Sequence, residues 1–102
     1  MGFADMHIHS IYSDGSLTPE EIVRTARASG VGLISVCDHN VVRGTLETAS
    51  LAREAGLKCV SGVEIDAIFE GEDIHILCYG ARLDDARLLG RIHHARCRRQ
   101  AA

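Results

Sequence analysis

A capped helix followed directly by an apolar run is the feature that most constrains the fold of this chain. Thr18, Pro19 and Glu21 give a capping box with proline at the first helical position, and Gly30 marks the helix end. The apolar run VGLISVC at residues 31–37 is typical of a strand buried on both faces of a parallel sheet. We therefore predict an α/β fold built from βα units.

The other predicted elements follow from the same signals. We expect a strand over 3–9, a helix over 43–55, a strand over 57–65, a hairpin over 65–80 and a final helix over 83–99. The side chains predicted for the buried helix faces are Ile22, Val23 and Ala26, then Leu46, Ala49 and Ala52, and finally Leu88, Leu89 and Ile92.

A weak internal repeat places acidic residues at equivalent positions. Gly30 recurs as Gly56, and the same offset carries Asp38 onto Glu64. Repeated βα units imply a parallel sheet with right-handed crossovers. The carboxyl ends of such strands are where βα barrels perform chemistry, so Asp38, His39 and Glu64 become candidate site residues.

The stretch "ADMHIHSIYSDG" contains two histidines one residue apart. His7 and His9 point to the same side if they lie in a strand. Two adjacent imidazoles repel when charged and leave polar nitrogens unpaired when neutral, and a divalent metal removes both problems. A solvent-facing pair on an edge strand is the alternative that this motif alone leaves open.

Four further donors lie near predicted strand ends, and each by itself is an ordinary turn, loop, surface or strand residue. Together with the histidine pair they form a mixed imidazole and carboxylate set that suits Zn²⁺, Mn²⁺ or Fe²⁺. The predicted ligands are His7, His9, Asp14, His39, Glu64 and His75. Asp5 and Asp38 are predicted to accept hydrogen bonds that orient the imidazoles.

Four segments resemble the first motifs of the polymerase and histidinol phosphatase (PHP) family: "DMHIHSIYSDGSLTPEEIV", "VCDHN", "GVEI" and "IHILCYG". The likeness is strongest to the stand-alone phosphoesterases, which include 3′,5′-nucleoside bisphosphate phosphatases and 5′–3′ exoribonucleases. This resemblance implies a distorted seven-stranded βα barrel with up to three divalent metals. It also implies that His7 and His9 hold one metal, that Glu64 bridges to a second bound by His75, and that Asp14 and His39 hold a third.

The function implied by the resemblance is metal-dependent hydrolysis of a phosphate ester, such as a nucleotide or oligonucleotide, by metal-activated water. Only six of the nine ligands expected in the family have counterparts here. We read His93 and His94 as surface residues, and Asn40 stands where relatives often have a second aspartate. Fewer than three metals are therefore expected.

The chain is predicted to be the N-terminal portion of a single PHP-type domain and to hold about half a barrel, in three to four βα or ββ units. Residues 1–80 carry the motifs and residues 81–102 form a basic helix. We expect association with a second copy, as a homo-oligomer, or with a missing C-terminal half, because half a barrel leaves strand edges open.

Two other functions stay open. The chain could be a metal-binding or oligomerising fragment without turnover, or a nucleic-acid-binding module. Residues 1–80 carry a net charge of −7 and residues 81–102 a net charge of +4. A solvated helix face explains the basic tail more simply than nucleic-acid binding, and an aromatic content of 4% argues against a base-stacking platform.

The cysteines and the hydropathy indicate the compartment. No Cys-x-x-Cys pair is present, and Cys37, Cys59 and Cys78 lie in apolar runs, so we expect them to be reduced and buried. No apolar run approaches the ~20 residues of a membrane span. No signal-peptide pattern precedes His7. We therefore predict a cytoplasmic protein without a membrane partner.

Overall fold

The computed structural model of the chain describes residues 3–82, 87–90 and 92. Three parallel strands form one sheet in the order β1-β2-β3, and an antiparallel pair, β4 and β5, forms a second. The elements in chain order are β1 (Phe3–Ile8), α1 (Pro19–Ala28), β2 (Val31–Val36), α2 (Arg43–Glu54), β3 (Lys58–Cys59), β4 (Gly62–Phe69) and β5 (Glu72–Tyr79). The predicted α/β class is confirmed.

Helix α1 begins where the capping box predicts. The Thr18 hydroxyl accepts from the Glu21 backbone N–H, and the Glu21 carboxylate accepts from the Thr18 backbone N–H, each at 3.2 Å. Gly30 has φ +77°, the left-handed conformation that favours glycine after a helix. The core packed between α1, α2 and the sheet consists of Ile22, Val23, Ala26, Ile34, Val36, Ala52 and Leu57.

The strand predicted over 57–65 is two strands. β3 pairs with β2 for two residues only, and the chain then leaves the sheet before β4 begins at Gly62. The backbone N–H of Gly62 donates to the hydroxyl of Thr45 at 3.0 Å. A Cβ at Gly62 would lie 2.5 Å from the Ser35 hydroxyl oxygen, so only glycine allows this close approach. The close contact at Gly62 changes the direction of the chain between β3 and β4.

Helix α2 spans the predicted residues but buries a different face. Leu46 is 52% exposed and Ala49 is half-buried, whereas Ala52 is buried as expected. The residues buried on α2 are Gly44, Thr45, Thr48 and Ala52. Small side chains let the helix lie close to the sheet: a Cβ at Gly44 would reach within 2.1 Å of the Asp38 carboxylate.

The predicted hairpin is confirmed, and its turn is short. β4 and β5 pair from Gly62 with Tyr79 to Phe69 with Glu72, so Glu70 and Gly71 alone form the turn. Both have positive φ, which a two-residue turn of this hand requires. Six apolar side chains of the hairpin are substantially exposed: Ile68, Phe69, Ile74, Ile76, Leu77 and Tyr79.

The predicted C-terminal helix lies mostly outside the described residues. Residues 87–90 and 92 are helical. Ile92 is buried and Leu88 is half-buried, but Leu89 is exposed, so the predicted stripe is narrower than expected. Within the described ranges, no helix is both long and apolar enough to cross a bilayer.

The described cysteines, Cys37, Cys59 and Cys78, carry free thiols. Cys37 is buried as predicted, whereas the other two are half-buried. Burial raises the pKa of the Cys37 and Cys59 thiols, which disfavours reactive thiolates.

Candidate metal centre

The site lies where the carboxyl ends of β1 and β2 meet the first half of β4. The Cys37 N–H donates to the Ile8 carbonyl at 2.7 Å, which aligns the ends of β1 and β2. The Glu64 N–H donates to the Asp38 carbonyl at 3.0 Å, and the Asn40 N–H donates to the Glu64 carbonyl at 2.8 Å. These bonds join β4 to the segment after β2. The six predicted ligand side chains therefore converge on one edge of the fold.

The first group of donors contains His7, His9 and Glu64. Nε2 of His7 lies 2.8 Å from Oε1 of Glu64, and Nε2 of His9 lies 3.0 Å from the same oxygen. The two ring nitrogens are 3.0 Å apart. Adjacent ligands of a divalent ion with bonds of ~2.1 Å are separated by about 3 Å, so this triangle fits a metal.

The second group uses the other oxygen of Glu64. Oε2 of Glu64 lies 2.7 Å from Nδ1 of His75 on β5. Oδ1 of Asp66 lies 3.1 Å from Nδ1 of His39 and 3.4 Å from Nε2 of His75. These four side chains can hold a metal ion, and Glu64 belongs to this group as well as to the first.

The third group contains His9, Asp14 and His39. Oδ1 of Asp14 lies 2.5 Å from Nδ1 of His9, and Oδ2 of Asp14 lies 3.1 Å from Nε2 of His39. Asp14 is the most exposed carboxylate of the three groups, with 65% of its side chain accessible. The predicted convergence of Asp14 and His39 is present in the structure.

Two predicted orienting residues have other partners. Asp38 is fully buried and accepts from the Ser10 N–H, the Ser10 hydroxyl and the Ser13 hydroxyl at 2.6, 2.6 and 2.7 Å. It fixes the loop that carries Asp14 rather than an imidazole. Asp5 is exposed and accepts from the His7 backbone N–H at 3.4 Å. The prediction that these carboxylates orient rings is therefore wrong in its contacts.

Neighbouring imidazoles favour the ionised forms of Glu64 and Asp14. Burial disfavours the charged form of Glu64, but the hydrogen bond from His7 and the nearby imidazoles lower its pKa below the ordinary value. The pKa of Asp14 is lowered against burial in the same way, chiefly by its hydrogen bond with His9. Burial opposes protonation of His39, yet Asp66 raises its pKa. The site therefore favours the binding of cations.

Ring chemistry limits how the groups can be filled together. A neutral imidazole offers one lone pair, so each histidine ligates through one nitrogen and donates from the other. His9 and His39 each belong to two groups through different nitrogens. If both rings ligate through Nε2, their Nδ1–H groups face Asp14 and Asp66 respectively. Every polar atom of these two rings then has a partner.

Asp66 was missed by the sequence reasoning, which noted Asn40 only as a departure from the family pattern. Asp66 follows Glu64 at i+2 on a strand, the same spacing that singled out His7 and His9, so its position was available from the pattern. Asn40 carried a weaker signal, because only the fold brings its side chain to Asp66.

Comparisons with known proteins agree with this geometry. The family model described as PHP domain matches residues 5–101. A 5′-3′ exoribonuclease of Haemophilus influenzae is 44% identical over 73 residues, which are 72% of this chain and 27% of that protein. A 3′,5′-nucleoside bisphosphate phosphatase of Chromobacterium violaceum is 35% identical over 80 residues, or 78% of this chain and 28% of that protein.

Among solved structures, a protein of Bifidobacterium adolescentis that is provisionally assigned as a metal-dependent phosphoesterase superposes with a TM-score of 0.89 at 28% identity. The superposition covers 98% of this chain and 35% of that one. The present chain therefore spans only 27–35% of the length of these relatives.

Proposed function

The chain belongs to the PHP domain family, and from that membership we propose that it provides the part of a phosphoester hydrolase that carries six of the metal ligands. Its relatives include a nucleoside bisphosphate phosphatase and an exoribonuclease. The proposed substrate is accordingly a phosphate ester of nucleotide type, either a small molecule or an oligonucleotide.

The observation that carries the proposal is the shared position of Glu64. Its side chain is 4% exposed, and its two oxygens face different donor groups. Oε1 meets His7 and His9, while Oε2 meets His75. A buried carboxylate between two imidazole sets is suited to bridge two cations. When bound, such cations generate a nucleophile from water and neutralise phosphate charge.

The chain's own residues have distinct tasks in this proposal. His7 and His9 would hold one ion with Glu64, and His75 would share a second ion with the same carboxylate. Asp14, on an exposed loop, and His39 would be the ligands of a third ion in the family pattern, whereas we expect this chain to hold fewer than three ions. The imidazole-rich donor set favours Mn²⁺, Zn²⁺ or Fe²⁺ over Mg²⁺ or Ca²⁺.

Association with further protein is part of the proposal. We place residues 1–102 as the N-terminal portion of one PHP domain. Within the described residues, β1 and β5 each pair on one side only. Phe3 is 73% exposed and Phe69 is 63% exposed. Either a second copy or the C-terminal part of a longer relative would cover these apolar edges. Light scattering after size exclusion distinguishes a monomer from an assembly. The cytoplasmic location stays a prediction.

The test combines metal content with hydrolysis. The chain is loaded with Mn²⁺, dialysed and analysed for bound metal, then assayed on a nucleoside 3′,5′-bisphosphate. We expect His7→Ala/His9→Ala to lose bound metal, and Asp73→Ala, at an exposed position on β5, to retain it. Equal metal content in the double variant and the wild type contradicts the proposed site.

The assay also separates the main alternative. Bound metal without hydrolysis, in an assembly of any size, identifies a metal-binding fragment without turnover. Hydrolysis that depends on Mn²⁺ and on Glu64 supports the enzyme. Glu64→Gln keeps the size of the side chain and removes the bridging charge, so we expect it to abolish hydrolysis.

A further inference from the structure

We propose that Asp66 and Asn40 form a clasp that sets the tautomer of His39, so that His39 ligates through Nε2 toward Asp14. This inference rests on the proposed function, because His39 matters as a ligand only if metal binds. It assigns positioning roles to two residues outside the predicted ligand set.

The clasp is a reciprocal pair of hydrogen bonds between the β2–α2 connection and β4. The Asn40 side-chain amide donates to Oδ2 of Asp66 at 3.1 Å, and its carbonyl oxygen accepts from the Asp66 backbone N–H at 3.0 Å. Asn40 is 2% exposed and has φ +53°, a conformation that asparagine tolerates better than most residues. Both ends of the clasp are therefore fixed by the backbone.

The second oxygen of the fixed carboxylate faces His39 at 3.1 Å and, at a longer distance of 3.4 Å, Nε2 of His75. With Oδ2 engaged by Asn40, Oδ1 of Asp66 lies 3.1 Å from Nδ1 of His39. The Asp66 side chain is 8% exposed, so this hydrogen bond forms away from most solvent and is stronger for it. Asp66 is thus a preorganised acceptor for an Nδ1–H group.

The competing acceptor at the other ring nitrogen is weaker. Nε2 of His39 also lies 3.1 Å from a carboxylate, that of Asp14. Asp14 is 65% exposed, and its other oxygen is already 2.5 Å from His9. A solvated carboxylate on a loop gains less from accepting an Nε2–H. The proton therefore stays on Nδ1. The lone pair of Nε2 is then available to a metal ion that Asp14 also binds.

The alternative is that Asp66 is itself a ligand and that His39 ligates beside it through Nδ1. That arrangement requires the proton on Nε2, the opposite tautomer. The two possibilities are distinguished in the metal-free chain, before any question of catalysis arises.

The decisive measurement is the tautomer of His39 by long-range ¹H–¹⁵N correlation in the metal-free, ¹⁵N-labelled chain at roughly pH 9, where imidazole is neutral. We expect Nδ1 protonated and Nε2 bare. A predominant Nε2–H form overturns the proposal, whatever the metal-binding result. An Nδ1–H form in a chain that fails to bind Mn²⁺ leaves the clasp intact and contradicts the proposed function instead.

Substitutions of Asp66 test whether this carboxylate sets the tautomer of His39. Asp66→Ala removes the acceptor, so we expect mixed His39 tautomers and a ~10–100-fold weaker Mn²⁺ affinity by calorimetry, the usual cost of losing a carboxylate behind a ligating histidine. Asp73→Ala, a carboxylate removed from the exposed part of the same hairpin, changes neither quantity. An unchanged tautomer and affinity in folded Asp66→Ala overturns the proposal.

A charge-swapped pair provides the rescue. In Asp66→Asn alone, the amide oxygen at position 66 accepts from the Asn40 NH₂, so its own NH₂ faces Nδ1 of His39 and disfavours a proton there. Adding Asn40→Asp reverses the donor and the acceptor, and the amide oxygen at position 66 can again accept from Nδ1 of His39. We expect the double variant to recover the Nδ1–H tautomer that Asp66→Asn loses. Failure to recover in a folded double variant contradicts the clasp, and this comparison stands even if Asp66→Ala does not fold.

Discussion

The sheet β1–β3 and the hairpin β4–β5 differ in what covers their apolar side chains. Ile34 and Val36 in β2 are completely buried, because α1 and α2 pack over them. Ile68 and Ile76 in the hairpin are about half exposed, at 51% and 48%. The sheet is held by burial of its own side chains, whereas the hairpin is held by its ladder and by its bonds to the end of β2.

The candidate site lies where these two regions meet. The sheet and its loops contribute His7, His9, Asp14 and His39, while the hairpin contributes Glu64, Asp66 and His75. The donor atoms converge only while the hairpin stays against the sheet. A metal ion that joins both sets would therefore stabilise the contact between the regions, and loss of that contact would dismantle the site.

The largest expected effect is a difference in stability between two variants, in which one isoleucine of the sheet or one of the hairpin is replaced by alanine. Ile34→Ala leaves a cavity in the buried core, and we expect it to lower the free energy of unfolding by ~2–5 kcal/mol. Ile76→Ala removes a half-exposed side chain and should change that free energy by about 0.5 kcal/mol or less in a monomer. Urea unfolding followed by circular dichroism measures both.

Equal losses of unfolding free energy in Ile34→Ala and Ile76→Ala would contradict the difference in burial between the sheet and the hairpin. A large effect of Ile76→Ala would mean that the hairpin face is buried in solution, by a second copy or by other protein. Its dependence on protein concentration identifies a second copy, since the stability of an assembly rises with concentration.

The next effect is the response of the two regions to metal. Mn²⁺ at about 100 times its dissociation constant should stabilise the metal-binding state by ~2.7 kcal/mol, or about 100-fold in exchange rate where local opening releases the ion. We expect slower hydrogen exchange at Ile65 and Leu77 of the hairpin and little change at Ile34. Hydrogen exchange followed by mass spectrometry, with and without Mn²⁺, measures this difference, because paramagnetic Mn²⁺ broadens the NMR signals of residues near the site.

The variant His7→Ala/His9→Ala is the control for this measurement. It alters no residue of the hairpin, yet it should remove much of the metal-induced protection of the hairpin. Uniform protection of both regions by Mn²⁺ would mean that the sheet and the hairpin open as one unit.

The predictable part of this fold is the part with local signals. The capping box of α1 and the apolar run of β2 carry their structure in consecutive residues, and both appear as predicted. The hairpin and its turn were predictable for the same reason. The histidine spacing at His7 and His9 likewise placed both rings on one side before any tertiary contact was known.

The errors fall where tertiary contacts decide. The break between β3 and β4 depends on the close approach of Gly62 to Ser35 and on a bond from Thr45, neither of which is visible in a run of apolar letters. On the buried face of α2, the hydroxyl of Thr45 accepts from the Gly62 backbone N–H, a contact that the sequence pattern does not reveal. Asp38 accepts from two serines of a distant loop, which its neighbours in sequence do not indicate.

The smallest expected effect concerns the hairpin turn, where Glu70 is not a residue type that favours the positive φ of its position. Glu70 has φ +51° and Gly71 has φ +81°. Glycine adopts this conformation freely, but a glutamate there is strained by about 1–2 kcal/mol relative to its preferred conformations. Asparagine tolerates positive φ and is favoured before glycine in such turns. Glu70→Asn should therefore stabilise the hairpin by a few tenths to about 1 kcal/mol.

The measurement must separate turn geometry from charge, because Glu70 lies beside Glu72 and Asp73 and its removal also relieves repulsion. Glu70→Gln is the matched control: it removes the same charge without the preference for positive φ. We expect slower hydrogen exchange at hairpin amides in Glu70→Asn than in Glu70→Gln, with the exchange at Ile34 alike in both. If the amide of Ile34 gains the same protection as the hairpin, the two regions unfold together, and the independence of the hairpin from the sheet is wrong.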